Sequence, residues 1–92
     1  MAKELTPEER LANAIVVQAC RDYLEAKTKI RDYEDDEKLV KESESTIKSI
    51  LRFFNSDWFN MLTNVKPEYL IRKLDEAFEN GQTSIDYMVL AE

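Results

Sequence analysis

The chain of 92 residues lacks several residue types on which common functional sites depend. It has no histidine, which removes the usual general base and the commonest zinc ligand. Its single glycine cannot build a phosphate-binding loop, and its single cysteine cannot form an internal disulfide bond. These absences argue against an enzyme, so we expect no catalytic residues, no metal site and no cofactor.

Positive charge and long apolar runs are also scarce. Lys and Arg number 13 against 19 Asp and Glu, a formal net charge of −6, whereas nucleic-acid binding needs a basic surface. The apolar runs, such as residues 14–17, are far shorter than the ~20 residues of a membrane-spanning helix, and the first residues are too polar for a signal peptide. We therefore expect a soluble cytoplasmic protein with no direct binding to nucleic acid or membrane.

Apolar residues at helical spacing predict an all-α fold in one domain, residues 1–92. Thr6-Pro7-Glu8-Glu9 is typical of a helix start, and Asn80-Gly81 of a helix end. The predicted helices cover residues of about 7–33, 36–54, 57–63 and 67–79. The tail, 82–92, is predicted as a short helix, with an edge strand as the alternative. This order predicts a long helical hairpin closed by a short helix and a fourth amphipathic helix.

The first predicted helix carries a regular heptad stripe, which suits either an antiparallel neighbour or a coiled-coil dimer. The stripe consists of Ala12, Val16, Ala19, Tyr23, Ala26, Ile30 and Tyr33. We expect a monomer in preference to a homodimer, because the fourth helix and the aromatic residues can cover the stripe. The expected core places Val16, Tyr23 and Ile30 against Ile47, Ile50, Phe54, Leu70 and Leu74.

Four large rings lie within residues 53–59, and we expect most of them to join the helices around the first one. Helical geometry places Phe53 and Phe59 on the side away from Phe54 and Trp58. The alternative to burial is therefore that Phe53 or Phe59 is an exposed anchor for a partner protein.

The turn after the first helix is dense in carboxylates, and we name it the acidic elbow: Asp32, Tyr33, Glu34, Asp35, Asp36 and Glu37. It lacks the glycine and the terminal glutamate of an EF-hand calcium loop. One interpretation is a solvated turn in which Asp35 or Asp36 caps the second helix. The other is a binding site for a partner with a basic surface, steered by electrostatic attraction and extended by Tyr33.

Two alternatives from other function classes stay open. The predicted helices at 57–63 and 67–79 have the spacing of a helix-turn-helix motif, which would make the chain a DNA-associated transcription or replication accessory. The acidic residues of the last helix oppose that interpretation. A self-assembling structural protein would instead bury the heptad stripe between copies.

Two stretches, residues 12–23 and 53–63, together with Glu68-Tyr69-Leu70-Ile71, resemble small uncharacterised proteins of phages and prophages of Gram-positive bacteria. The resemblance covers about residues 11–74 and supplies no catalytic residues. It implies a small accessory protein in the bacterial host cytoplasm. It also implies binding to a host or phage protein that is inhibited or modulated, in a host-takeover or anti-defence role such as nuclease or CRISPR inhibition.

Overall fold

A computed structural model describes residues 6–81 and folds them into four helices. They are α1 (Pro7–Asp32), α2 (Glu37–Phe54), α3 (Asp57–Leu62) and α4 (Pro67–Glu79). The predicted all-α fold is confirmed, and each predicted boundary lies within one residue of the observed one. The tail expected to form a short helix lies outside the described residues.

Local side-chain chemistry explains where the helices start. The Thr6 hydroxyl accepts a hydrogen bond from the Glu9 amide at 3.1 Å while the Glu9 carboxylate accepts one from the Thr6 amide at 3.4 Å, which completes a capping box at α1. Of the two candidate caps for α2, the structure selects Asp36, whose carboxylate accepts from the Leu39 amide at 3.1 Å. Ser56 caps α3 in the same manner. Each cap satisfies an amide that the helix itself leaves unpaired.

The three long helices run up, down and up. Helices α1 and α2 form the hairpin, and α4 lies along α1 through contacts that proceed in the same direction on both. The Tyr23 hydroxyl donates to Asp75 at 2.6 Å, and one to two turns further on Lys27 and Arg31 each lie 5.1 Å from the centre of the Phe78 ring. The short helix α3 closes the end of the hairpin opposite the acidic elbow.

The core agrees with the expected one except at its edges. Val16, Tyr23, Ile50, Phe54, Leu70 and Leu74 are buried as expected, and Ile47 packs on the core from its rim. Ile30 was predicted to belong to the core, and this is wrong: it is half-buried and outside the cluster. The buried part of α1 ends at Ala26, because α3 adds its side chains only at the other end of the hairpin. Leu24, which was not among the expected core residues, is completely buried.

The aromatic residues join the helices as predicted, but the burial of Trp58 and Phe59 is the reverse of the prediction. Phe59 is completely buried and packs edge-on against Phe54 and Phe53, with ring centres 5.4 and 5.6 Å apart. The prediction that Phe59 is an exposed anchor is therefore wrong, and Trp58, predicted to face inward, is 55% exposed. The chain breaks its helix at residues 55–56, so the helical phase of α2 does not continue into α3. Phe53 is half-buried, with its ring against both Phe59 and Trp58.

Candidate protein-binding groove

An open apolar groove runs between α1 and α2 and ends at the Trp58 side chain of α3. Its volume is about 550 Å³, and its lining is almost entirely apolar. We name it the apolar half of the hairpin groove; it is lined by Ala14, Ile15, Gln18, Ala19, Asp22, Ser49, Ile50, Phe53 and Trp58. On each long helix the lining residues recur every three or four positions, as in Ala14, Gln18 and Asp22, so the groove follows both helix axes.

The groove lies on the side of the hairpin away from α4. On α1, Ile15 and Asp22 are rotated by roughly 120° and 140° from Lys27 at the helical repeat of 3.6 residues per turn, and Lys27 faces α4. The same α1 face begins one turn earlier with Leu11, which is 64% exposed. One turn after Trp58, Met61 is 84% exposed. Large apolar side chains therefore extend the groove at its α3 end, which is the kind of exposed cluster that marks binding sites.

The groove continues toward the elbow as a polar half, which shares Asp22 with the apolar half. It has a volume of about 210 Å³ and is lined by Asp22, Glu25, Ala26, Lys29, Leu39, Glu42, Ser43 and Thr46. Three of these residues are acidic and one is basic. Ser43 is buried, and its hydroxyl makes no hydrogen bond within residues 6–81. Buried hydroxyls are usually paired, so Ser43 stands out among the described side chains that line the groove.

The acidic elbow lies beyond the polar half, and every one of its residues is exposed. Arg31 donates to the Asp32 carboxylate at 2.9 Å, which neutralises one of the five acids. Asp36 serves as the α2 cap, and Tyr33 is 57% exposed. The elbow is thus a solvated turn with an N-cap, as one interpretation predicted, and its carboxylates remain accessible to a basic partner. Binding through them stays a prediction.

The polar cluster that joins α1 to α4 is structural. Asp75 accepts hydrogen bonds from the Tyr23 hydroxyl at 2.6 Å and from the Lys27 ammonium at 2.9 Å. Burial, and then the hydrogen bond and negative charge of Asp75, raise the pKa of Tyr23. Tyr23 therefore stays a neutral donor at physiological pH, and the cluster fixes α4 on α1. Cys20 is buried among apolar residues, and burial raises the pKa of its thiol to about 12, so it has no reactive thiolate.

The helix-turn-helix interpretation loses support at α4. Arg72 and Lys73 lie over the Tyr69 ring at 5.5 and 5.6 Å, and Lys73 also approaches Glu76 at 3.5 Å. The basic groups of this helix are thus engaged by their own neighbours. Glu68 and Glu79 are exposed on the same helix, and both would be repelled by phosphates.

The sequence pointed to the elbow but missed the groove. A groove between two helices depends on which faces they present to each other, and only Leu11 and Ile15, one turn apart beside the heptad stripe, signalled a second apolar face on α1. Trp58 was missed because the helix breaks at residues 55–56, so the helical phase of α2 does not predict which side of α3 is exposed.

Comparison with protein-family models, with curated proteins and with solved structures found no match to this chain. Within residues 6–81, no group of three or more acidic or cysteine side chains is placed to hold a metal ion. In the same part of the chain, no helix is long and apolar enough to cross a membrane.

Proposed function

We propose that this chain is a non-enzymatic accessory protein that binds another protein through the hairpin groove and thereby inhibits or modulates it. The observation that carries the proposal is the apolar half of the groove, together with the Trp58 side chain at its end. A small domain gains stability by burying apolar residues, yet here Leu11, Trp58 and Met61 remain in solvent beside an apolar groove.

Tryptophan is among the residues that contribute most to protein–protein binding, because its large ring buries much area at a small entropic cost. The groove is open along its length and continues into a polar half, which suits an extended element of a protein better than a compact small molecule. The resemblance to phage and prophage proteins supports the context of the proposal: an anti-defence or host-takeover inhibitor, such as one directed at a nuclease or CRISPR complex, acting in the bacterial cytoplasm.

The test starts with affinity purification from a Gram-positive host and identification of the bound proteins by mass spectrometry. Each candidate is then purified, and its binding to the chain and its own activity are measured. The groove variant is Ala14→Glu with Trp58→Ala, since both positions are exposed and line the apolar half. The matched control is Tyr69→Ala, an exposed aromatic on α4 at the other side of the hairpin.

We expect the partner to bind the parent chain and the control equally, and the groove variant at least about tenfold more weakly, as for a residue at the centre of an interface. Addition of the parent chain should also change the activity of the partner. A partner that binds the groove variant as tightly as the parent would show that the groove is not the binding site.

A further inference from the structure

The hairpin groove changes from apolar near Trp58 to acidic near the elbow, and this change in polarity limits which molecules fit there. We propose that the occupant is an amphipathic helix of the partner protein, with large apolar side chains at the end near Trp58 and Lys or Arg side chains at the end near the elbow. This inference rests on the proposed function and names the class of partner.

The dimensions of the groove fit a helix. Its lining runs from Ala14 to Lys29 on α1 and from Phe53 back to Leu39 on α2. At 1.5 Å per residue each wall is about 22 Å long, which is the length of about four helical turns. A helix laid between two antiparallel helices occupies the position of an additional bundle member and contacts both through side chains spaced three and four apart.

The charges that line the groove determine which end of a bound helix carries cationic side chains. The polar half and the elbow together hold eight carboxylates and one cation, Lys29, and Arg31 beside the elbow pairs with Asp32. The only charged side chain in the apolar half is Asp22, at the boundary. Within the described residues Glu25 and Glu42 pair with no cation. An incoming helix therefore meets apolar walls at one end and a negative potential at the other, so cationic side chains belong at the elbow end.

Ser43 gives a second, independent indication. Its buried hydroxyl has no hydrogen-bond partner among residues 6–81 and lies in the lining of the polar half. A hydroxyl oxygen accepts a hydrogen bond from an ammonium or guanidinium group. A Lys or Arg that reaches between Glu25 and Glu42 can therefore donate to Ser43 as well as neutralise the two carboxylates.

A second copy of the chain fits this groove less well. Each copy has a net charge of −6. An antiparallel pair would place the apolar half of one copy against the acidic half of the other, and a parallel pair would place the acidic halves together. Both arrangements bury more carboxylates than cations, which is costly.

The experiment uses a displayed library of 18-residue helical peptides as the probe. Apolar residues occupy every third or fourth position, and the remaining positions vary among Lys, Arg, Glu, Gln, Ser and Ala. The library is selected on the whole chain. We expect the enriched peptides to concentrate Lys and Arg in one half and to lose at least about tenfold in affinity for the groove variant, Ala14→Glu with Trp58→Ala.

The charge step is tested with two variants that remove the same number of carboxylates. Glu25→Gln with Glu42→Gln should weaken binding of the enriched peptides about fivefold and flatten its salt dependence. Glu68→Gln with Glu79→Gln, on α4, should leave binding within about twofold of the parent. Equal effects of the two pairs would overturn the inference, because general charge rather than the groove would then explain the attraction.

The outcomes separate the inference from the proposed function. Peptides that need the groove but show no clustering of cations and no response to the Glu25 and Glu42 changes would refute the basic helix while leaving groove binding intact. Peptides that bind the groove variant undiminished would refute both. A library that yields no binder would refute the helical partner. A dimer that light scattering detects in the parent chain but not in the groove variant would also refute it, and would identify another copy as the occupant.

Discussion

The neighbours Trp58 and Phe59 provide the sharpest test of the structure, because the side chain that is buried follows directly after the one that is exposed. Phe59 is completely buried against two other rings, so Phe59→Ala should cost about 3–5 kcal/mol of unfolding free energy, through lost burial and a residual cavity. Phe59→Leu, which leaves most of the volume filled, should cost about 1–2 kcal/mol.

Trp58 should tolerate truncation much better. More than half of it is exposed, so it removes less than half of the ~250 Å² that a tryptophan can bury. At about 25 cal/mol per Å² this gives an upper limit of roughly 2–3 kcal/mol, which compaction of the unfolded chain and the retained Cβ atom lower to about 1–2 kcal/mol. No internal cavity forms, since the ring lies at the surface.

Urea unfolding followed by circular dichroism at 222 nm measures both changes. Tryptophan fluorescence is not suitable here, because Trp58→Ala removes the only tryptophan. The expected difference between the two alanine variants is about 2 kcal/mol or more, with Phe59→Ala the less stable. Fluorescence of the parent chain is an independent check: Trp58 is the only tryptophan, and its emission should be red-shifted and readily quenched by iodide. A Trp58→Ala variant as unstable as Phe59→Ala, with blue-shifted parent emission, would mean that the faces of α3 are assigned wrongly.

Three further predictions concern stability. Leu74→Ala, at a completely buried position, should cost about 2–5 kcal/mol in the same urea assay, and a loss below about 1 kcal/mol would contradict the core assignment. A double-mutant cycle of Tyr23→Phe and Asp75→Ala should give a coupling energy of about 0.5–1.5 kcal/mol, and additive losses would show that their hydrogen bond contributes nothing. Burial raises the pKa of Cys20 from 9.0 to about 12, so the unfolded chain loses this proton at a lower pH than the folded chain does. The unfolding free energy should therefore be constant below pH 9 and fall by up to about 1.4 kcal/mol per pH unit toward pH 12. Urea titrations at each pH measure this slope, and Cys20→Ala should reduce it.

The helices could be predicted closely because their ends are encoded locally. Thr6, Asp36 and Ser56 each cap the helix that follows with their own side chains. Pro67 begins α4, where the structure shows no side-chain cap, because a proline in the first turn loses no hydrogen bond. Such signals require only the neighbouring residues, so a single sequence is sufficient to find them.

The groove could not be predicted in the same way, because it depends on the rotation of two helices about their axes. Ile15 and Val16 are adjacent and both strongly apolar, yet Val16 is completely buried while Ile15 lines an open wall. The elbow was found because consecutive charges in a turn are solvated wherever the turn lies. A buried hydroxyl such as Ser43 became visible only once α1 and α2 were packed together.

The same packing decides which surface of α1 is left for other proteins. The heptad stripe suits a coiled-coil partner, but Val16, Tyr23 and Ala26 of that stripe are buried within the chain. Association through the stripe would therefore require the hairpin to open or α4 to detach, with loss of the Tyr23–Asp75 hydrogen bond. Association through Ile15 and its neighbours requires neither, since that wall is already open to solvent. The apolar surface that α1 offers without unfolding is thus the wall of Ala14, Ile15 and Ala19, of which only Ala19 belongs to the stripe. In the proposed binding mode, the carboxylates along the groove attract a basic partner and repel a second acidic copy.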